Sequence, residues 1–267
     1  MTTTKIKYNQ IKTGLPVGDI NYSDVSLLLN MEGSDGSTTF TDGSNTNRAI
    51  SKGSSAEISV NQSKFGGSSL YLPGNGNSYL YTNGANLGNF GSDDFTIEIW
   101  SYITSGTFAG TLISKFDSLY GNNNRSWILG PGVTSGQNRF AFNAFNSSQS
   151  TIVSLLASGY NINQWYHVAV TREGNTFRLF VDGNMIDSAS SSQSLESNSV
   201  PVTIGSRYNN GSYSQDPMTG YLDGVRITEG VARYTSNFST PTAAFPTLQS
   251  NQGKKMVVGE NGYIDLQ

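Results

Sequence analysis

The sequence predicts an all-β protein, a sandwich of two antiparallel sheets with short extensions at the N- and C-termini. Apolar and polar residues alternate with a period of two, as in 95–100 and 176–181, and patterns of helical period are nearly absent. Glycine accounts for 30 of 267 residues, which is typical of strands joined by many loops. At about 150 residues per domain, this length fits one large all-β domain or two small ones.

Strands are predicted wherever alternation or an apolar run is bounded by turn residues. In chain order they cover 25–30, 68–72, 79–82, 95–100, 111–115, 126–129, 139–145, 151–156, 165–171, 177–181, 185–188, 202–204 and 221–228. The sequence Asp182-Gly183-Asn184 predicts a hairpin turn, because glycine and asparagine tolerate the positive φ of tight turns. Many short strands without helices between them favour a two-sheet sandwich.

The two ends differ from the predicted body, which covers residues 21–246. Residues 1–20 carry lysines and a short alternation before Gly14, Pro16 and Gly18, and we expect an extended arm. In 247–267, two apolar runs flank a Gly-containing turn and predict a small hairpin. Because an isolated hairpin is marginal in water, we expect both ends to pack on the body, on another copy or on another protein. The alternative is that both are frayed termini.

Composition excludes several classes of function. The net charge of −3 argues against nucleic-acid binding, which needs a basic surface. The sequence has neither an apolar run of membrane-spanning length nor a signal peptide at its start, so no membrane association is expected. The absence of cysteine excludes disulfides and thiol chemistry, and the single histidine, His167, excludes a metal site built on two histidines.

Three stretches carry a resemblance to a known family. They are DFTIEIW at 94–100, WYHVAVTR at 165–172 with FVDG at 180–183, and GYLDGVRI at 220–227 followed by VARY at 231–234. In this order they resemble the laminin-G-like jelly roll of the concanavalin A-like lectin/glucanase superfamily. The resemblance covers 22–246 and implies a concanavalin A-like jelly-roll sandwich.

The closing pattern narrows this resemblance. The sequence GVARYT at 230–235, followed by Phe238, Pro241 and Phe245, is similar to that of such domains in bacteriophage virion proteins. This implies a tail-fibre, tail-tip or capsid-decorating protein on the virion surface, made in the host cytoplasm and present as a homo-oligomer or in many copies. The arm and terminal hairpin would bind other virion proteins, and the jelly roll would bind host surface glycans. The alternative is a purely structural virion component without glycan binding.

Catalysis is not expected. Glucanases of this superfamily carry a Glu-x-Asp-x-Glu strand, and this chain has none; its nearest cluster, Asp93, Asp94 and Glu98, has the wrong spacing for paired carboxylates. His167 shares a predicted strand face with Trp165, which favours a hydrogen-bonded structural histidine over a catalytic base. A glycan hydrolase is therefore the least favoured function.

Two aspartates are candidate calcium ligands. Alternation predicts that Asp223 shares the core-facing side of its strand with Tyr221, Val225 and Ile227. A carboxylate in that position needs a cation or several hydrogen-bond donors. Relatives of this fold often hold calcium at the sandwich rim, and Asp42, in the loop 41–45, resembles one such position. The alternative is that Asp223 accepts bonds from backbone amides and that Asp42 shapes an Asx turn.

Two long loops, 116–126 and 205–220, combine aromatic and hydrogen-bonding residues. Aromatic faces stack on the CH surface of sugars, and amides or arginines bond the hydroxyls. The candidate glycan-binding residues are Tyr120, Asn122, Arg125, Arg207, Tyr208, Tyr213 and Asp216. The alternative is that these side chains decorate solvated loops or pack beneath them.

Overall fold

In a computed structural model, the chain divides into two compact units, one of residues 24–245 and one of residues 1–23 with 246–267. The structure describes residues 18–84, 86–105, 110–119, 122–131 and 138–248, and the short strands at 6–7, 256–258 and 263–266. No helix within these residues is long and apolar enough to cross a membrane.

Strands account for almost all regular structure in the described residues, and the one short helix is a 3₁₀ turn at Tyr22–Asp24. In chain order the strands are β1 (Ile6–Lys7), β2 (Val25–Leu29), β3 (Ser51–Lys52), β4 (Glu57–Ser59), β5 (Ser69–Pro73), β6 (Leu80–Thr82), β7 (Phe95–Ile103), β8 (Ile113–Lys115), β9 (Ser118–Leu119), β10 (Asn122–Asn123), β11 (Trp127–Pro131), β12 (Arg139–Phe145), β13 (Thr151–Ser158), β14 (Trp165–Glu173), β15 (Thr176–Val181), β16 (Asn184–Ser190), β17 (Val202–Ile204), β18 (Arg207–Asn209), β19 (Ser212–Gln215), β20 (Thr219–Glu229), β21 (Met256–Val258) and β22 (Tyr263–Leu266).

Two large antiparallel sheets form the body. The eight-stranded sheet runs β16-β15-β14-β7-β20-β5-β4, with β2 also paired to β20, and the seven-stranded sheet runs β13-β12-β11-β8-β17-β6-β3. Their inward residues make one continuous apolar core. The predicted fold class, an all-β jelly-roll sandwich, is confirmed.

The predicted alternation decides which side of each strand enters the core. In β7, Phe95, Ile97 and Ile99 are fully buried in the core, whereas Thr96 and Glu98 point to the outer face of the sheet. Those outer residues are also buried. A sequence pattern of period two thus separates the two faces correctly, but it does not show that the outer face is covered.

A segment that follows β20 covers part of this outer face. We call residues 231–245 the strap. The hydroxyl of Thr96 donates to the carbonyl of Val231 at 2.9 Å, and the hydroxyl of Thr171 donates to the carbonyl of Tyr234 at 2.8 Å. The closing pattern of the sequence therefore forms a structural element tied to two central strands, β7 and β14.

The predicted hairpin turn is confirmed. Val181 pairs with Asn184, which leaves a two-residue connection in which Asp182 has φ 48° and Gly183 has φ 76°. Two consecutive residues with positive φ match the twist of the flanking strands.

The two chain ends pair with each other in one three-stranded sheet. β21 and β22 pair in antiparallel orientation, and β1 adds to the free edge of β22, with Ile6 opposite Ile264. The amide of Asp19 also donates to the carbonyl of Leu248 at 2.9 Å. This pairing gives the marginal hairpin a third strand.

Candidate functional site

Four tyrosines lie in contact on the outer side of the seven-stranded sheet. Tyr213 stacks on Tyr81 with ring centroids 4.2 Å apart and on Tyr79 at 5.2 Å, and Tyr208 lies 5.1 Å from Tyr213. All four side chains are partly exposed. We call Tyr79, Tyr81, Tyr208 and Tyr213 the tyrosine cluster.

Two short elements position these rings. Tyr79 and Tyr81 flank Leu80, which is fully buried in the core, so the two tyrosines point away from it. The other two belong to the hairpin of β18 and β19, whose turn residues Asn210 and Gly211 have φ 45° and 84°. Asn-Gly is the strongest short hairpin signal in a sequence. The predicted loop 205–220 therefore contains a hairpin, and the Asn-Gly pair is the local signal for it.

An ion pair lies in the same hairpin segment. Arg207 Nε lies 2.5 Å from Asp216 Oδ2, and the two side chains are 20% and 35% exposed. The Arg207 guanidinium also sits 5.3 Å from the ring centroid of Phe116. Four predicted glycan-binding residues, Arg207, Tyr208, Tyr213 and Asp216, are thus brought together by one hairpin.

Two hydroxyls of the cluster, those of Tyr213 and Tyr79, have raised pKa values. Burial, followed by the nearby hydroxyls of Tyr81, Tyr208 and Tyr79, raises the pKa of Tyr213 to about 12. Burial and Tyr81 also raise the pKa of Tyr79. Both hydroxyls therefore keep their protons at neutral pH and can donate as well as accept hydrogen bonds.

The two predicted loops are adjacent. Asn210 donates its amide to Asp117 Oδ1 at 3.2 Å, which ties the hairpin to the first loop. Within that loop, Arg125 lies over the ring of Phe145 at 4.6 Å and donates to the backbone carbonyl of Gln149 at 2.5 Å. Arg125 therefore packs beneath its loop, in line with the alternative to glycan binding. Tyr120 lies outside the described residues, and for Asn122 the structure describes only the backbone, in β10.

The carboxylate of Asp42 is saturated by internal donors. Its Oδ1 accepts the amides of Leu28 and Ser44, both at 2.9 Å. Its Oδ2 accepts the Ser44 hydroxyl and the Arg48 amide, both at 2.8 Å. The bond to Ser44, two residues on, forms the Asx turn that was the alternative to a metal ligand.

The face predicted for Asp223 is wrong. A register shift follows Asp223 in β20, where Gly224 has φ 51°. Asp223 lies opposite Trp100 on the outer face, together with Tyr221, whose predicted core-facing position is wrong as well. Val225 and Ile227 point into the core. The extra residue of a bulge reverses the alternation beyond it, and a strict period of two cannot foresee this.

Asp223 is nevertheless buried, and backbone donors satisfy it. Its Oδ2 accepts the amides of Lys64 and Phe65, both at 3.0 Å, and Oδ1 accepts the amide of Gly224 at 2.8 Å. Burial raises the pKa of this carboxyl to about 7, because the three N–H donors offset desolvation only in part. The several donors required of a buried carboxylate are thus present.

No three His, Asp or Glu side chains come together as a metal site within the described parts of the chain. Calcium binding by Asp42 and Asp223 stays a prediction.

Glu98, one of the three carboxylates in the acidic cluster of the sequence, is buried in an ion-pair network. Glu98 Oε1 accepts two bonds from Arg226 at 2.7 and 2.8 Å, and Oε2 lies 3.1 Å from His167 Nε2 and 2.8 Å from the Tyr234 hydroxyl. Burial alone would raise the pKa of Glu98, but Arg226 and His167 hold it well below its usual range. Glu98 and His167 are both 0% exposed, so neither can contact a substrate. The structural role predicted for His167 is confirmed.

Comparisons with known proteins agree with this architecture. A family model described as the concanavalin A-like lectin/glucanases superfamily matches residues 73–233. No curated protein sequence matches the chain.

Several solved structures share the fold at low sequence identity. The binding domain of Paraclostridial Mosquitocidal Protein 1 superposes with a TM-score of 0.59 at 16% identity, over 79% of this chain and 50% of that one. Domain 4 of AbnA, a GH43 extracellular arabinanase from Geobacillus stearothermophilus in complex with arabinotriose, gives 0.54 at 14% identity over 78% and 93% of the two chains.

The binding domain of botulinum neurotoxin DC, in complex with rat synaptotagmin II, gives 0.54 at 17% identity over 80% and 50%. The chain thus spans about half the length of the two toxin domains. The structural neighbours are mostly binding domains, and at these identities they show the fold alone. Because the family model covers more than half of the sequence, the chain belongs to the concanavalin A-like lectin/glucanases superfamily.

Proposed function

We propose that this chain is a non-enzymatic adhesion protein of a bacteriophage particle, a tail-fibre, tail-tip or capsid-decorating protein whose jelly roll binds glycans on the host surface. The tyrosine cluster beside the Arg207–Asp216 ion pair carries the proposal. It joins partly exposed aromatic rings to polar groups in one hairpin.

The chemistry of this surface suits a sugar. The negative face of an aromatic ring attracts the polarised CH groups on one side of a pyranose or furanose ring. The tyrosine hydroxyls can donate and accept, the Arg207 guanidinium donates and the Asp216 carboxylate accepts, so both roles of a sugar hydroxyl have partners. The ring stack holds the platform in place before a ligand arrives, which lowers the ordering cost of binding.

The relatives support a binding function. One structural neighbour holds arabinotriose and another holds synaptotagmin II, so this fold carries both carbohydrate and protein ligands. The inaccessibility of Glu98 and His167 supports a non-catalytic role, because acid–base chemistry needs groups that reach the substrate.

The particle context rests on the strap sequence and the two chain ends. In this proposal, the arm and the terminal hairpin bind other virion proteins or other copies of the chain at the virion surface. Many copies on one particle would convert weak sugar contacts into strong attachment. The chain would be made in the host cytoplasm and be released with the particle.

Glycan-array binding of the full chain, followed by titration of the best sugar, tests recognition. The Tyr213→Ala and Tyr81→Ala variants should each weaken binding several-fold without loss of fold, which a thermal melt checks. Tyr22→Ala is the matched control, because Tyr22 is a partly exposed tyrosine in the 3₁₀ turn. Undiminished binding in Tyr213→Ala would overturn the site. Absence of any glycan ligand would favour the purely structural virion component.

Deletion of residues 1–20 tests attachment separately. Loss of the protein from purified particles, with the melting temperature of the body unchanged, is the expected result. Normal incorporation of the shortened chain would remove the arm from the proposal and leave glycan recognition untouched.

A further inference from the structure

A row of four aromatic side chains crosses the outer face of the eight-stranded sheet. Tyr71, Tyr221, Tyr102 and Trp165 stand on the adjacent strands β5, β20, β7 and β14, and each is directly opposite the next in the strand register. Their ring centroids are 5.1, 5.9 and 5.5 Å apart in that order. We call these four residues the aromatic row.

The strand register places the whole row on one face. Leu72, Leu222 and Ile103, the neighbours of Tyr71, Tyr221 and Tyr102 along their strands, are buried in the core. Successive residues in a strand point to opposite sides. The row therefore faces away from the core, and across three strand intervals it extends about 14 Å.

Within the described residues, two segments cover the neighbouring part of this face, and the four side chains of the row stay partly exposed. The strap covers Thr96 and Thr171, as described above. The loop 62–67 covers Trp100, which lies between those threonines and the row on the outer face. The ammonium group of Lys64 lies 3.9 Å from the centroid of the Trp100 ring, and the Phe65 ring packs edge-on to the Trp100 ring at 5.7 Å. Trp100 is 2% exposed in consequence, whereas all four members of the row are partly exposed.

The chemistry along the row is aromatic and neutral, with one carboxylate at its end. Glu57 on β4 lies opposite Tyr71 in the register and is exposed. The row itself contains no cationic residue, which disfavours an anionic ligand. Rings that offer an apolar face and a hydroxyl suit a ligand with both CH surfaces and hydroxyl groups, and Glu57 adds an acceptor.

We infer that the aromatic row is a second carbohydrate-binding surface, which takes a neutral linear oligosaccharide along the direction that crosses the strands. The class of ligand rests on the proposed function. The position of the binding surface rests on the strand register, on the partial exposure of the four rings and on the covering of the rest of this face by the strap and the loop 62–67. The tyrosine cluster lies on the outer side of the other sheet. One domain therefore binds glycan on both faces of the sandwich, which raises its effective affinity for a dense polysaccharide.

Trp165 provides a signal specific to the row. The chain has three tryptophans, of which Trp100 and Trp127 are buried. Iodide quenching of tryptophan fluorescence therefore reports mainly on Trp165. Titration of the full chain with hexasaccharides of glucose, xylose, arabinose and mannose should protect Trp165 in a saturable manner with at least one of them. Trp165→Phe should lose the signal.

Variants on the two faces separate this inference from the proposed function. Tyr102→Ala should weaken the Trp165 response about three- to tenfold, the equivalent of one lost aromatic contact. Tyr213→Ala should leave that response unchanged and weaken only binding at the tyrosine cluster. If Tyr102→Ala lowers the melting temperature, Tyr71→Ala on β5 takes its place.

Three results would overturn the inference. In the first, a glycan binds and Tyr213→Ala weakens its binding, but the glycan does not protect Trp165 from iodide. The proposed function then stands and the second surface does not. In the second, no hexasaccharide binds and both fail. In the third, light scattering shows a dimer that Tyr102→Ala dissociates, with no effect of sugar, and the row is then an interface between copies.

Discussion

The ring of Tyr213 lies 4.2 Å from that of Tyr81, inclined by 24°, and this contact joins the β18–β19 hairpin to the seven-stranded sheet. The hairpin alone would be marginal in water. Its stacking on the sheet therefore both builds the candidate platform and holds the hairpin in place.

A double-mutant cycle measures this contact. Tyr81→Leu and Tyr213→Leu should show a coupling energy of about 0.5–1.5 kcal/mol in urea unfolding, because stacked rings contribute that much beyond their buried area. Additivity within about 0.3–0.5 kcal/mol would show that the rings are independent. A cycle of Tyr213→Leu with Tyr22→Leu is the additive control.

Replacement of Glu98 by glutamine should destabilise the fold by about 3–5 kcal/mol, because it removes the charge of a buried carboxylate that pairs with Arg226. Chemical denaturation measures the loss. Tyr234→Phe removes one hydrogen bond to the same ionised carboxylate and should cost less, about 1.5–3 kcal/mol. Equal losses in the two variants would contradict a network organised by charge.

The same network predicts a dependence on pH. The pKa of Glu98 is lower in the folded state than the ordinary value of about 4.3. Its contribution to the free energy of unfolding is therefore fully present above that value and falls as the pH drops below it. The stability difference between the wild type and Glu98→Gln should narrow from pH 6 to pH 3, and a constant difference would contradict the assignment.

The bulge in β20 should not accept a side chain at Gly224. Its φ of 51° strains any other residue by roughly 1–2 kcal/mol. A Cβ there would also lie 3.2 Å from both Trp100 and Phe245. Gly230→Ala is the matched control, because its φ is 78° and its Cβ would have no atom within 4 Å. Thermal melts should show a larger loss of melting temperature for Gly224→Ala than for Gly230→Ala. Equal losses would mean that the contacts with Trp100 and Phe245 do not add to the backbone strain.

Calcium titration tests the metal prediction. A calcium site on Asp42 and Asp223 requires that millimolar calcium raise the melting temperature over that in chelator, because a ligand of the folded state stabilises it. Asp42→Asn should then abolish the shift. An unchanged melting temperature would leave both carboxylates as acceptors of internal hydrogen bonds alone.

The local sequence pattern was sufficient to predict the main strands of this protein and one of its hairpin turns. Alternation of period two identified the main strands and the core side of β7, and Asp182-Gly183 identified its hairpin, because strand geometry and turn conformation depend on neighbouring residues. The spacing of Asp93, Asp94 and Glu98 argued against a glucanase site, because the spacing of residues within one strand is also a local property of the sequence. The Asn210-Gly211 pair is a local turn signal of the same kind, with φ 45° and 84°.

Tertiary structure alone decided the surfaces. Tyr79 and Tyr81 become part of the candidate site only when a hairpin far along the chain folds over them. Likewise, the aromatic row exists because four strands distant in sequence meet in one register. The bulge at Gly224 moved Asp223 to the outer face, and the strap buried Glu98. Such contacts join residues far apart in the chain, and no local periodicity records them, since they depend on which strands pair and which segments cover a sheet.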